Sequence, residues 1–328
     1  MLAIRNLALP FALALGMLLS HSTDAAEFSW KTDEAAGTAD LNYDGKPVLR
    51  YQFGFDTSTP ERAVETFKVF HHVFGPDGTQ ITKGDGGHFP HHRGLYVGWN
   101  KTSWDGGAGD FWHCTNGAHQ RHVEFVKQEA DADHGMMTSL IHWNAADGKP
   151  AIVETRTVTA KPFPIEVAPG YGWQIDWTSR LESQRGEITL DGDRQHAGFQ
   201  FRAANVVAEK NNATYLRPDT FPEQPAAFEV NDATDPDKHI NLGWLAMQYP
   251  VEETLYTVGY LEDPSLPKPS RYSERPYGRF GAFFKTTLKP DEPLTLRYRV
   301  IVTTEDKPTR AVWQKRHDAF VQDLKMAK

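Results

Sequence analysis

The sequence predicts an all-β protein, a large antiparallel β-sandwich of the supersandwich kind with one C-terminal helix. Three observations carry this. Apolar and polar residues alternate with a period of two through most of the 328 residues, as strands with one buried face require. A helical period occurs only near the C-terminus. The chain holds 9 Trp, 19 Phe and 11 Tyr against a single Cys, so stability must come from a large aromatic core, with no internal disulfide to help.

The chain opens MLAIRNLALPFALALGMLLSHSTDAAEFSW, with a positive charge at Arg5, an apolar stretch over residues 7–19 and small residues at Ala25 and Ala26. This reads as a secretory signal peptide over residues 1–26. Its apolar stretch is shorter than the roughly 20 residues that a membrane anchor needs. Residues 27–328 are then expected to form one β-sandwich domain, periplasmic or secreted, with no membrane span in the mature chain. Arg5 and Asp24 cancel, so cleavage leaves the net charge of -8 unchanged. A mildly acidic chain is a poor polyphosphate binder, which argues against nucleic acid as a partner.

Strands are expected at 67–74, 94–100, 121–126, 138–144, 151–160, 172–182, 186–193, 196–207, 255–262, 278–288 and 294–304, each rich in β-branched and aromatic residues between Gly, Pro, Asn or Asp. GPDG at 75–78 reads as a turn joining two strands. The stretch PTRAVWQKRHDAFVQDLKMAK predicts a helix over 309–327, with Thr309 as N-cap and Trp313, His317, Phe320 and Leu324 on one face. Strands without helical crossovers argue for antiparallel sheets packed face to face. Long Pro-rich connections run over 215–239 and 262–278; the second is punctuated by cations and tyrosines and reads as an ordered lid over a site.

Candidate chemistry concentrates in three places. His88, His91, His92, His113, His119 and His122 are six of the 14 histidines. His88 and His91 offer a spacing that suits two ligands of one metal, as do His119 and His122, though neither pair matches a specific metal signature. In HAGFQFRAANVV, a period of two places His196, Gln200 and Arg202 on one face and Ala197, Phe199 and Phe201 on the other, the pattern of a polar groove floor backed by core. The third place is the 262–279 region, where Glu262 stands beside several cations and suits a general base with guanidinium groups to hold an oxyanion. Trp99, Trp104 and Trp112 offer flat faces suited to sugar rings or to the core. The face carrying Trp173, Ile175 and Trp177 reads as core, with a solvated face opposite.

The motifs TKGDGGHFPHHRGLYVGWN, DFWHC, LDGDRQHAGFQFR and EDPSLPKPSRYSERPYGRFGAFF together resemble the bacterial exported family labelled "methane oxygenase PmoA-like". A methane-oxidising membrane subunit needs several apolar spans, which this chain lacks. The resemblance therefore implies an exported sandwich like those of galactose-mutarotase-like carbohydrate enzymes, whose polar sheet face binds sugars. It implies His92, His196 and Glu262 as catalytic groups. It implies Arg93 and Arg279 as anchors of the substrate, beside which Trp99, Asn100, Trp112, His113, Gln200, Arg202, Arg271 and Tyr272 are the further candidate substrate contacts of the regions above. In one departure, Val206 stands where related sequences are expected to carry a glutamate.

The expected function is an exported carbohydrate-active enzyme of lyase, hydrolase or epimerase type, acting on a glycoside or oxidised sugar by histidine and carboxylate acid-base catalysis. A non-catalytic carbohydrate-binding protein and a histidine-ligated metal-dependent oxidoreductase or oxygenase are the alternatives. A divalent metal ion, held by His88 and His91, is the candidate cofactor, and a carbohydrate or other small polar molecule the candidate partner.

Overall fold

The computed structural model describes residues 27–165, 171–193, 195–220, 228 and 239–327. The signal-peptide reading lies outside them, as does most of the 215–239 connection. With strands numbered in chain order, the first sheet runs β1 (Phe28–Asp33), β2 (Thr38–Tyr43), β3 (Lys46–Gln52), β4 (Phe70–Val73), β5 (Leu95–Trp99), β13 (Ala197–Arg202), β18 (Arg279–Phe283), β17 (Arg271–Arg275). The second runs β14 (Thr214–Leu216), β15 (Trp244–Val251), β16 (Thr254–Glu262), β20 (Leu294–Thr303), β11 (Tyr171–Ser183), β10 (Pro150–Pro164), β9 (Gly135–Asn144), β8 (His119–Ala130). A small third sheet orders β19 (Thr286–Leu288), β12 (Ile188–Asp191), β6 (Lys101–Trp104) and β7 (Gly107–Gly109). Neighbouring strands pair antiparallel throughout, as in β10 with β11 and β13 with β5.

The two large sheets pack face to face through aromatic residues that alternate along their strands. Phe199 of β13 stacks on Tyr298 of β20 at 4.5 Å between ring centroids and lies 4.9 Å from Trp177 of β11. Trp99 of β5 lies 6.3 Å from Trp143 of β9. This is the β-sandwich that the alternation predicts. A polar cluster sits inside it: Glu154 accepts both Nε (2.8 Å) and Nη2 (2.9 Å) of Arg156, the indole N–H of Trp143 (2.9 Å) and the hydroxyl of Ser179 (2.5 Å). A buried carboxylate is tolerated when its lone pairs are filled in this way.

Each large sheet also has an outer face, and the two are covered differently. Helix α3 (Arg310–Met326) lies on the second sheet, its Thr309 side chain accepting the N–H of Val312 as the expected cap. Trp313 and Phe320 pack with Trp244, Leu261 and Ile301, and Gly259 leaves room for the Trp313 ring, which a Cβ there would meet at 2.0 Å. Arg299 on β20 bonds Asp176 at 2.5 Å and Asp323 of the helix at 2.8 Å. The face of β11 opposite the tryptophans thus helps anchor the helix, where the sequence suggests only a solvated surface. On the first sheet the outer face is covered by loops.

Several local expectations are corrected. The N-terminal strands β1 to β3 are not among those the alternation predicts, since their period is broken by turn and charged residues. The reading of 196–207 as one strand ends at Arg202; residues Asn205–Lys210 form helix α2, closed by Asn211 in the left-handed region at φ 53°. Val207 is driven into the core there, so burial overrides the β propensity of the valine pair. A further short helix, α1 (Pro60–Thr66), is capped by Thr59 and buries none of its residues, which is why it shows no amphipathic period. The turn at 75–78 closes through Gly75 N–H to Thr79 C=O (2.8 Å), but the residues beyond it pair back through a single bridge, Phe74 to Gln80, and form no strand. The 262–278 segment is less a lid than expected, because its second half is the edge strand β17.

Glu262 is corrected with it. This carboxylate is fully buried at the end of β16, where it accepts the Lys268 ammonium at 2.5 Å and the Ser270 hydroxyl at 2.6 Å. Tyr272, the next strand's inward residue, is equally buried against Tyr260, 6.0 Å away between centroids. Both residues tie the 263–270 turn to the core and neither faces solvent.

Trp313→Ala should lower unfolding free energy by about 3–5 kcal/mol, through the void left over Gly259, measurable by chemical denaturation. Glu262→Ala should cost roughly 1–3 kcal/mol, because it strands a buried hydroxyl donor; a variant of wild-type stability would show that Glu262 is not a structural anchor. Burial, with Arg50 acting next on His72 and Arg156 next on His122, pushes both imidazoles from 6.5 down to about 4, and burial drives His71 well below 6.5. The unfolded chain therefore binds more protons over this window. The contribution of these histidines is complete above about pH 6.5, and stability should fall steadily from there toward pH 4, read from denaturation midpoints across that range.

Candidate functional site

The site is built outward from β13. Its alternation AGFQFR sends Phe199 and Phe201 into the core and Gln200 and Arg202 to the outer face of the first sheet, yet these two are only 1% exposed. The polar face is therefore a covered floor, as the groove reading expects. Gln200 accepts from Arg279 Nη1 on β18 at 3.1 Å, and Arg279 Nη2 donates to Ser273 on β17 at 2.7 Å. Three adjacent strands thus share one polar network.

Two loops are laid on this floor. The 110–116 loop approaches over Gly98, where a Cβ would stand 2.3 Å from the Phe111 carbonyl; any larger residue would lift it. Phe111 N–H bonds the Trp99 carbonyl at 3.0 Å, and the buried Gln120 side chain donates to Val97 C=O at 2.9 Å. Asp110 then accepts the N–H groups of Trp112 (2.9 Å) and His113 (2.7 Å) and His113 Nδ1 (2.7 Å). The 88–93 loop comes from the other side, where Phe89 lies 5.0 Å and His92 6.2 Å from the Tyr277 ring.

Between the loops, four imidazoles meet. His91 lies 4.4 Å from His92, 4.7 Å from His113 and 6.0 Å from His196 between ring centroids, and His113 lies 4.9 Å from His196. His196 Nδ1 is held by both oxygens of Asp193 at 3.0 and 3.1 Å, and Asn100 donates to that carboxylate at 3.3 Å. Against the cost of burial, bonds from His196 and the Gln195 N–H hold Asp193 well below the usual carboxylate range; His113 does the same for Asp110. The ligating nitrogens of His91, His113 and His196 all lie within 4.8 Å of one another, close enough for a shared metal ion.

The surroundings are cationic. Lys68, Lys83, Arg93, Arg202 and Arg279 are at most 2% exposed. Lys68 bonds the carbonyls of His91 (3.1 Å) and Trp112, and Arg202 bonds those of Tyr277, Ala203 and Gly278 while its guanidinium lies 4.9 Å from the Tyr277 ring. Among the described residues, Arg202 Nε and Nη2 and Arg93 Nε have no hydrogen-bond partner. Burial pushes Lys68 down to about 7, Lys83 to about 8 and Arg202 to about 10. Elsewhere the buried guanidinium groups do find carboxylates, Arg156 with Glu154, Arg217 with Glu274 and Arg299 with Asp176. Among the described residues, none of these five cations has a salt bridge.

The expected site residues thus fall into three groups. His91, His92, Arg93, Asn100, His113, His196, Gln200, Arg202 and Arg279 are brought to one face, with Arg271 at its rim, its guanidinium 6.0 Å from Phe283. Trp112 lies beneath them, fully buried and 4.7 Å from Tyr96, so it supports the floor and offers no face to a ligand. Trp99 is corrected outright: it is a core residue with no exposed surface, its indole bonded to Phe284 C=O at 3.1 Å. His88 is exposed and outside the cluster, 6.4 Å from Phe89, so the His88 and His91 pairing is replaced by His91 with His113 and His196. The other pair diverges as well, His119 stacking on Phe55 at 4.6 Å and His122 lying tilted against Phe125 at 4.4 Å between centroids. Glu262 and Tyr272 contribute none of the contacts described for this face.

Lys68, Lys83, Phe89 and Asp193 carry no site signal in the sequence reading, and Asp110 and Tyr277, which stand out there beside the histidine window and among the lid cations, carry no assigned role. A signal for the two aspartates exists: DFWH at 110–113 and DRQH at 193–196 both place an aspartate three residues before a histidine. The same spacing in DADH at 131–134 closes an ordinary hairpin, with His134 to Asp131 at 3.1 Å, so the motif alone does not discriminate. Val206 lies in α2 rather than on a strand, so the departure noted there falls outside the sheet floor.

No curated protein matches the chain. Among solved structures it is similar to the galactosidase domain of alpha-galactosidase-sucrose kinase, AgaSK, with a TM-score of 0.42 and 9% identity, over 84% of this chain and 42% of that one. It is also similar to the heparan sulfate lyase HepC from Pedobacter heparinus, with a TM-score of 0.34 and 9% identity, over 85% of this chain and 37% of that one. The chain spans less than half the length of either protein, and likeness at this level transfers neither substrate nor mechanism. The match of residues 38–317 to the model of a family of unknown function carries no methane-oxygenase label, and the chain belongs to that family, DUF6807.

Proposed function

We propose that the outer face of the first sheet is the active site of an exported carbohydrate-active enzyme whose substrate carries an anionic group, such as a glycoside of an oxidised sugar. The observation that carries this reading is the set of five buried basic side chains that have no salt bridge among the described residues, set against paired arginines elsewhere in the same molecule. Burying unpaired charge costs several kcal/mol per ion, and a carboxylate or enolate-like oxygen between Arg202, Arg279 and the histidines recovers much of it. The sugar part of the reading comes from the motif resemblance, and export from the leader over residues 1–26.

Proton transfer belongs to the imidazoles. His92 is buried beside Tyr277 with Nδ1 unpartnered and is tied to no carboxylate. His196 is fixed through Nδ1 by Asp193, which leaves Nε2 as its nitrogen for proton transfer, and its ring lies 4.9 Å from His113 and 6.0 Å from His91 between centroids. Catalysis by lyase, hydrolase or epimerase chemistry needs such a group within reach of the bond changed. With Glu262 confined to the core, the carboxylates bonded to the histidines of the site are Asp110 and Asp193.

The test is a panel of uronates and their neutral parent sugars, with binding read by calorimetry and thermal shift and turnover by product analysis. Uronates should bind preferentially and lose affinity with salt, and Arg202→Lys, which keeps the charge but loses the planar donors, should weaken them roughly 10- to 100-fold. Equal binding of neutral and anionic sugars would overturn the anionic reading. Tight uronate binding with no turnover of any oxidised glycoside would replace the enzyme by a carbohydrate-binding protein.

A further inference from the structure

We propose that His91, His113 and His196 form a three-imidazole site for one divalent transition-metal ion of the zinc class, with an open coordination position toward the groove. The three side chains come from separate loops, at 91, 113 and 196, yet their ligating nitrogens all lie within 4.8 Å of one another. An ion at the centre of such a triangle stands at most roughly 2.8 Å from each nitrogen, against about 2.0–2.1 Å for a zinc–nitrogen bond. Small ring rotations close that gap.

Three further features fit a metal better than a chance packing of rings. First, Asp110 bonds His113 Nδ1 at 2.7 Å and Asp193 bonds His196 Nδ1 at 3.0 Å. A carboxylate behind the imidazole fixes the ring and its tautomer and leaves the Nε2 lone pair facing inward, which is the arrangement that supports metal-bound histidines. Both carboxylates are themselves held, Asp110 by two backbone N–H groups and Asp193 by Asn100 and the Gln195 N–H. Second, His91 Nε2 is buried with no partner in the protein, an orphan that a metal would satisfy. Third, the two aspartates supply two negative charges against an ion of charge two, in a region otherwise crowded with cations. Without them, a metal beside Lys68 and Arg93 would be strongly disfavoured.

The donor set selects the metal. Three neutral imidazoles with no thiolate suit zinc, cobalt, nickel, copper or iron and not magnesium or calcium. Cys114 is one residue from His113 but is not part of the set. The rings of His113 and His196 retain 28% and 31% side-chain exposure, so a fourth position is open to water or to a substrate oxygen. His92 stands beside it. In this arrangement the ion polarises the bound oxygen, His196 serves as a ligand, and His92 is left as the proton carrier. The ion's place in catalysis rests on the groove reading, whereas binding of the ion does not.

The experiment uses the full chain purified without a histidine tag, stripped with chelator and checked for folding by circular dichroism. Zn²⁺ titrated by calorimetry should bind one equivalent per chain, and Co²⁺ should give the visible absorption of a low-coordinate nitrogen site. His113→Ala and His196→Ala should abolish both signals. Asp193→Asn, which keeps the fold and all three ligands, should weaken binding roughly 10- to 100-fold, while His134→Ala at the hairpin should change nothing. Absence of stoichiometric Zn²⁺ and Co²⁺ binding by the folded chain overturns the proposal, and so does binding that survives His196→Ala. Uronate binding measured on the metal-free chain keeps the two readings apart: metal bound without sugar removes the groove reading alone, and sugar bound without metal removes this one alone.

Discussion

The close approach of the 110–116 loop to Gly98 is the constraint on which the rest of the site depends. A sheet face normally holds a loop off by the length of its side chains. Here the glycine removes that spacer and lets the Phe111 carbonyl rest against the strand. Gln120 and the Trp99 carbonyl then pin the loop in place. Only at this height does His113 come level with His91 and His196. A second close contact helps: Gly198, at φ 84°, is an adjacent break in the side-chain layer where a Cβ would stand 2.0 Å from the Ala282 carbonyl. The strand that carries Gln200 and Arg202 can therefore be buried on both faces, against aromatic core on one side and loops on the other.

Burial on both faces explains the electrostatics. Sandwich sheets commonly leave one face to water, where arginine and lysine keep their hydration. The second sheet covers its outer face with a helix and neutralises what it buries, as Arg299 does between Asp176 and Asp323. The first sheet covers its outer face with loops and leaves Arg202, Arg279, Arg93, Lys68 and Lys83 bonded mainly to carbonyls and neutral side chains. Carbonyl dipoles soften the cost of such burial but do not cancel charge. One molecule thus treats its two outer faces oppositely. The face with unbalanced charge is the one where the histidines gather, which is how functional sites differ from structural networks.

Much of the fold was legible because a period of two needs no tertiary information. The strands from β8 to β11, β16 and β20 each alternate over many residues, and the C-terminal helix carries its own cap and apolar stripe. Where the signal failed, tertiary contact outweighed local preference. The valines of α2 read as strand until Val207 is seen buried, and Trp99 reads equally well as sugar platform or core because a flat apolar ring suits both. Glu262 shows the same ambiguity for charge: a carboxylate beside cations is a general base or a buried anchor, and only its neighbours, Lys268, Ser270 and the tyrosines, tell which.

The sequence by itself determined the period of the strands, the two-faced character of AGFQFR and the unusual density of histidines, because each is a property of consecutive residues. Which histidines act together was decided by the tertiary structure alone. His88 is the nearer neighbour of His91 along the chain, yet its partners in space are His113 and His196, from loops that fold over the outer face of the first sheet. Four stretches place an aspartate three residues before a histidine, at 85–88, 110–113, 131–134 and 193–196, and one of them merely closes a hairpin. The local spacing is identical in all four. The difference is that two sit on loops lowered onto one buried polar strand, and convergence of that kind arises from strand pairing over long sequence distances that no local pattern encodes.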